Sequence, residues 1–330
     1  MPAPEVRPFR RTDRDQLTDL VNLHVAAVVP GVSVSVNTVL GDLERQPGEF
    51  ITDPWVAERT TLVAEQRGHV VAAAHLLRYR ADADVGDTYR AAAEINWFVH
   101  RPAAPLWPDA DRAADLLMRA CLAQFARWNA RVGYGDGSLP APLVYGLPRN
   151  WPHIRALYER AGFRHTGGTE VILIARVADL PVPEPRPDVV VERTPGACGT
   201  RFTARAEGRS LGFIEIDTAL ARPERHARAA GLAEIGNLHI DPALYGTGLE
   251  HWLLGRAADW LRLCGVDRLV TCESAGDNAM LALLADAGFG ELTRTDRGWE
   301  HHPERARMPG RSRTDRGREH RPERSQMPGR

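Results

Sequence analysis

The sequence predicts an α/β protein of the α+β kind, built as two tandem copies of one domain, the second shortened at its start. Three observations predict it. Residues 93–102 read AEINWFVHRP and residues 233–242 read AEIGNLHIDP, two strand-like segments that align without a gap and end in proline. Further on, ALYERAGF at 156–163 answers ALLADAGF at 282–289. Two such matches in the same order mark repetition of a whole domain rather than of a short motif. Third, PVPEPRP at 181–187 puts proline at every second position near mid-chain, a stiff, extended pattern that reads as an interdomain linker. The expected division is 1–180, the linker 181–187, 188–311, and a tail 312–330.

The elements follow in order. EVRPF opens as a strand, and Thr12 with Asp15 has the spacing of a capping box for a helix running through Val29. VSVNTVLGDLERQ predicts a second helix, and TTLVAEQRG with HVVAAAHLL a hairpin. After Pro102 comes the loop AAPLWPDAD, then a helix whose apolar face carries Leu116, Leu117, Ala120, Cys121 and Phe125. Asp109 and Asp111 at its start suit a helix cap. The second copy has fewer parts. VVVER leads almost directly into the hairpin RFTARAEGRSLGFIEID, so 46 positions separate Asp188 from Glu234 where 89 separate Glu5 from Glu94. The missing length matches the two N-terminal helices. The later helix of this copy carries Leu249, Trp252, Leu253, Ala257, Trp260, Leu261 and Cys264 on one face.

The tail is a duplication: RTDRGWEHHPERARMPGR at 294–311 recurs as RTDRGREHRPERSQMPGR at 313–330. The first repeat is expected to supply a last strand around Gly298–His301. The second is polar, Arg-rich and broken by proline, the composition of a disordered segment.

Composition narrows the function. An apolar fraction of 43% and a charged fraction of 26% are those of a soluble globular chain. No apolar run approaches the roughly 18 residues of a membrane span. The start, MPAPEVRPFRRTDRD, lacks the apolar core of a secretory signal. Cys121, Cys198, Cys264 and Cys272 form no C-x-x-C pair and no metal spacing with histidine, so reduced thiols, a cytoplasmic setting and no metal are expected. Residues 294–330 hold eleven Arg against six acids, which leaves −6 on residues 1–293. A body that acidic argues against nucleic acid as a partner.

The most informative stretch is IDPALYGTGLEHWLL at 240–254, where Gly246 and Gly248 stand at the mouth of a helix. A helix N-terminus presents unpaired N–H groups and partial positive charge, and glycines let an anion approach the backbone. A Walker loop is excluded because no Gly-Lys-Ser/Thr follows. A dinucleotide fingerprint is excluded because His251 stands where its last glycine belongs. Strand, proline, glycine loop, helix, strand and a short helix ending in Gly-Phe together resemble the GNAT N-acetyltransferase superfamily. In layout the chain resembles its tandem members. The resemblance covers residues 5 to about 301 and implies two domains, each a mixed, mostly antiparallel sheet flanked by helices.

The same resemblance implies a coenzyme and a set of roles. The loop pattern R/Q-x-x-G-x-G/A falls on Tyr245, Gly246, Thr247, Gly248, Leu249 and Glu250, which implies acetyl-CoA as co-substrate with its diphosphate there. Tyr245 replaces the usual Arg or Gln, and Glu250 the usual small residue. Strand amides of Leu238, His239 and Ile240 are implied to hold the pantetheine arm and thioester carbonyl, with Asn278 bonding the arm. Glu234 is either the proton acceptor or a rim carboxylate in a salt bridge. Tyr158 holds the family's thiolate-protonating position in the first domain, where Leu284 stands in the second. Tyr158 is therefore either that acid or only a helix residue of a degenerate copy. The expected activity is acetyl transfer to an amine of a small molecule, with the second domain the cofactor site. The competing expectation is a catalytically degenerate acyl-CoA-binding or ligand-sensing module. Acceptor walls are expected from ALARPERHARAAGL and YRADADVGDTYR.

Overall fold

A computed structural model describes residues 3–44, 53–218 and 231–303 of the chain. The second tail repeat and most of the loop ALARPERHARAAGL lie outside these residues. The fold divides into two compact units that are not contiguous in sequence. The first takes Met1–Thr169 and the described residues from Thr295 onward, and the second takes Glu170–Arg294.

The first unit opens with β1 (Glu5–Pro8), α1 (Arg14–Val28) and α2 (Val36–Leu43). The residue before α1 is Asp13, and the expected Thr12–Asp15 box is absent. The Asp13 carboxylate instead accepts from the Arg7 guanidinium at 2.7 and 3.0 Å and from the Arg10 N–H at 2.8 Å. The second helix does carry a side-chain cap: Ser35 accepts the Thr38 N–H at 3.1 Å. Next come the hairpin β2 (Val56–Gln66) and β3 (His69–Tyr79), then β4 (Ala93–His100), α3 (Ala110–Arg127), β5 (Gly133–Tyr134), β6 (Leu147–Pro148), α4 (Pro152–Arg160) and β7 (Arg164–His165). Strand β3 is buried without interruption from Val70 to His75 and Leu76. Both α1 and α3 pack on it, and a strand covered on both faces has no polar side.

The first half of the sequence ends with β8 (Thr169–Arg176), and the second contains β9 (Val190–Gly196), β10 (Gly199–Ala206), β11 (Arg209–Asp217), β12 (Leu232–Ile240), α5 (Leu249–Leu263), β13 (Arg268–Ser274), α6 (Asn278–Asp286), β14 (Gly290–Asp296) and β15 (Trp299–His301). No helix separates β9 from β10, so the shortened start expected from the sequence is observed. Helix α5 buries Leu253, Leu254, Ala257, Ala258 and Leu261 completely, in a core with Ile214, Ile216 and Ala233 of the sheet.

The proline run is extended, and it lies along α5 rather than standing clear of a core. Leu180 O accepts from Arg262 at 2.9 Å, Glu184 O accepts from the Trp252 indole N–H at 2.8 Å, and Arg186 donates to Thr247 O at 2.9 Å. A side chain at Gly255 would meet Pro181 O at 3.0 Å and Pro183 at 3.1 Å, so any other residue would press the strap outward by a few tenths of an ångström.

The strand order of the first sheet is β1-β2-β3-β4-β5-β15-β7, and that of the second is β6-β14-β8-β13-β12-β11-β10-β9. Strand β8 ends the first half of the sequence, yet it pairs with β13 from Arg268↔Arg176 to Ser274↔Glu170. Strand β15 does form at Trp299–His301, but it pairs with β5 and β7 in the first unit. Boundaries drawn at 180 and 188 therefore differ from the compact units: the last strand encoded in each half completes the sheet of the other.

Candidate active site

In the second unit β12 and β13 run parallel for only three pairs, Leu232↔Arg268, Ala233↔Leu269 and Glu234↔Val270. They then part. Strand β13 continues on β8 as far as Ser274, and β12 continues on β11 as far as Ile240. Just past the fork, the pairs Glu215↔Asn237 and Ile216↔Ile235 leave Gly236 as the extra residue of a β-bulge. A bulge bends its strand and re-aims the backbone groups that follow. Among the described residues, no strand pairs with that edge of β12 beyond Glu234.

The first unit repeats this geometry. Strands β4 and β5 pair only at Ala93↔Gly133 and Glu94↔Tyr134, and the shift between His75 and Leu76 leaves Asn96 as the bulge. Here, however, the gap is filled. Residues 135–147 fold back against Ile95–Phe98, fixed by Leu139 N–H to Val144 O and Gly146 N–H to Gly137 O, both 2.9 Å. Gly137 lies directly on the Asn96 backbone and Gly135 on the Tyr158 ring. The space left is about 10 Å³, room for one water at most. The loop ahead of α3 has no glycine, and Asp109 does not cap the helix but accepts from Gln66 at 2.9 Å.

The glycine loop of the second unit lies at the far end of β12. Gly246 and Gly248 both adopt φ +75°, a left-handed conformation that costs other residues about 1–2 kcal/mol. This answers why the sequence needs both. The loop amides are only partly open. Tyr245 N–H reaches Pro242 O at 3.4 Å and Thr247 N–H reaches Leu244 O at 3.2 Å. The Gly246 N–H donates to Glu250 Oε1 at 3.3 Å, so the buried Glu250 carboxylate turns back onto the loop. The Arg186 guanidinium stands beside Gly248, its Nη2 3.5 Å from where a Cβ would be. Tyr245 is exposed.

The remaining expected residues fall as follows. Glu234 sits at the fork itself, where burial and then Asp217, its pairing partner on β11, push its carboxyl up to about 7. Leu238 is half-buried and Ile240 buried, both against the apolar core, while His239 between them is exposed with its ring 5.5 Å from Phe213. Asn278 is exposed at the start of α6, which is capped by Asp277. Leu284 is a core residue. Tyr158 is fully buried in the first unit, packed on Phe98, Phe163 and Trp299, and burial drives its hydroxyl well above the ordinary tyrosine value. It lines the closed remnant of that unit's gap. Glu234 and Tyr158 thus belong to different units.

Two residues beside the loop and the fork escaped sequence reasoning. Arg186 was hidden in the proline run. Glu273, on the β13 arm past the fork, is pushed up to about 7 by burial, Asp277 and Glu170. Its signal was a carboxylate near the end of the strand RLVTCES, just past the apolar Leu269 and Val270.

No protein-family model matches the sequence, and no curated protein sequence does. Solved structures do match. The GCN5-related glucosamine N-acetyltransferase region of a fungal multi-domain GH3 β-N-acetylglucosaminidase aligns at TM-score 0.60 and 14% identity over 90% of this chain, which spans 38% of that protein. A tandem GNAT protein from the clavulanic acid biosynthesis pathway aligns at TM-score 0.59 and 16% identity, covering 91% of this chain and 98% of its own. A GCN5-related N-acetyltransferase from Sphaerobacter thermophilus aligns at TM-score 0.58 and 13% identity, covering 91% and 95%. Two forked sheets, each with the same bulge, and a match over nine-tenths of the chain to these structures give this chain the fold of tandem GNAT proteins.

Proposed function

We propose that the second unit binds acetyl-CoA and transfers its acetyl group to an amine of a small molecule. The observation that carries this reading is the fork: a carboxyl poised near neutrality at the point where β12 and β13 part, on the strand that leads to the glycine loop. The loop and the first turn of α5 would hold the diphosphate. The β12 edge past Gly236 would orient the arm and the thioester carbonyl through the amides of Leu238, His239 and Ile240. Acetyl-CoA supplies the activated acyl group. Glu234 takes the proton that the acceptor ammonium must lose before its nitrogen can attack. A carboxyl ionising near 7 suits that role, since it is basic enough to accept a proton and still deprotonated at working pH.

Thiol release from acetyl-CoA with a panel of small amines tests this reading. Glu234→Gln should lower kcat by roughly 10²- to 10⁴-fold. The wild-type rate should fall as pH drops below about 7 and Glu234 gains its proton. Unaltered turnover and pH profile in the variant would remove Glu234 from the mechanism.

A second reading, an acyl-CoA-binding module without turnover, is favoured by Leu284 standing in the core where the family carries its acid, and by Tyr158 lying in the other unit. Binding of acetyl-CoA without thiol release across the panel would support it.

A further inference from the structure

We infer that Arg186, on the proline strap, is the positioning cation for the coenzyme's diphosphate, replacing the basic residue that the glycine loop lacks at Tyr245. The inference rests on the proposed acetyl-CoA site and names a residue outside the loop that completes it. Three features carry it. First, the loop has no cation of its own, and it has gained an anion: Glu250 is buried and accepts the Gly246 N–H at 3.3 Å. An incoming diphosphate meets a carboxylate already seated on one of the donors it needs. Left uncompensated, that repulsion opposes binding.

Second, the strap is held at two places on α5, through Leu180 O and Glu184 O, and at the loop through Arg186 itself. These contacts, with the fit of Pro181 and Pro183 over Gly255, fix the backbone that carries Arg186. A pre-positioned side chain loses less freedom when a ligand arrives. Third, among the described residues the guanidinium donates to Thr247 O at 2.9 Å alone, and Nη2 lies against Gly248. A guanidinium carries five N–H donors in a planar fork, which matches the oxygens of a phosphate. It anchors on a backbone carbonyl of the loop and keeps its other donors for the ligand.

The test uses the full chain and three ligands: CoA, 4′-phosphopantetheine and pantetheine. Titrations of wild type, Arg186→Ala, Arg186→Lys and Glu250→Gln are compared at low and moderate salt. Arg186→Ala should weaken CoA by roughly 10- to 100-fold, the worth of a charge-assisted contact. Arg186→Lys should recover part of the loss, and pantetheine binding should not move. Glu250→Gln should tighten CoA. Because the strap contact is also structural, thermal melts of each variant accompany the titrations, and Arg186→Lys carries the result if Arg186→Ala is unfolded. Equal CoA affinity in folded Arg186→Ala, or an equal loss for CoA and pantetheine, would overturn the inference and leave the acetyl-CoA site standing. Failure of folded wild type to bind CoA would overturn both.

Discussion

Glu234 and the histidines of the first unit respond to burial in opposite senses. Burial raises a carboxyl and lowers an imidazole because both lose the solvent that favours their charged forms. His24 and His100 are held down to about 3 and about 4, chiefly by burial, and His153 is lowered for the same reason. The three rings sit together: His24 Nε2 is 3.4 Å from His153 Nε2, and the His100 and His153 centroids are 4.6 Å apart. In the unfolded chain these imidazoles titrate near 6.5, so that state binds more protons below this value. Their contribution to stability is complete above pH 6.5 and is lost as pH falls toward 4 and then 3. Denaturant melts at pH 7.5 and 5.5 should show wild type losing more stability than His100→Gln over that interval, and equal losses would refute the burial argument. Glu234 works the other way: its folded value lies above the unfolded one, so its cost appears as pH rises from 4.5 through 7.

Glu234 was pointed to by the resemblance alone, through its place on the strand ahead of the glycine loop. Sequence reasoning could not reach the seat of Glu250, since the choice between facing solvent and bending back onto Gly246 N–H is made by the turn. Nor could it separate the two roles left open for Tyr158. The ring's packing on Phe98, Phe163 and Trp299 depends on a strand from the far end of the chain.

At the scale of elements, the glycine loop was legible and the strap was not. Glycine at two positions with φ +75° is a backbone requirement written directly into residue type. A proline run reads the same whether it crosses solvent or lies on a helix. The donors that dock it, Trp252 and Arg262, gain that meaning only once α5 is placed. The docking makes Gly255 a sensitive position. Gly255→Leu should push Pro181 and Pro183 off α5 at a cost of about 1–3 kcal/mol, as overpacking does. It should also weaken CoA binding, although the site of change is two turns of helix from the loop. Thermal melts and CoA titration of the variant check this, and full stability with full affinity would show that the strap does not need the glycine.

For the whole molecule, the repeat was legible and the exchange of last strands was not. Two matched segments in one order announce two domains, whereas a strand's local pattern does not say which sheet it joins. The consequence is that 188–311 is a poor unit, because it omits β8 and with it every pair from Arg268↔Arg176 to Ser274↔Glu170. Removing residues 295–330 should likewise damage the first unit. It takes away Trp299 and Asp296, both buried, along with the Arg155–Asp296 and Thr169–Asp296 contacts. Loss of a buried Trp alone costs about 3–5 kcal/mol. Hydrogen exchange should show β5 and β7 losing protection in that truncation, while removal of 304–330 should leave them protected. Full protection in both would refute the exchanged topology.

The central claim is that the turn at Gly246 and Gly248, below the fork of β12 and β13, holds the diphosphate of CoA. Isothermal titration of the full chain and of Gly248→Glu with CoA tests it most directly, with melts to confirm that both are folded. The account expects saturable binding of one CoA per chain by wild type and none by the variant. Absence of binding by folded wild type, or equal affinity in Gly248→Glu, would contradict it.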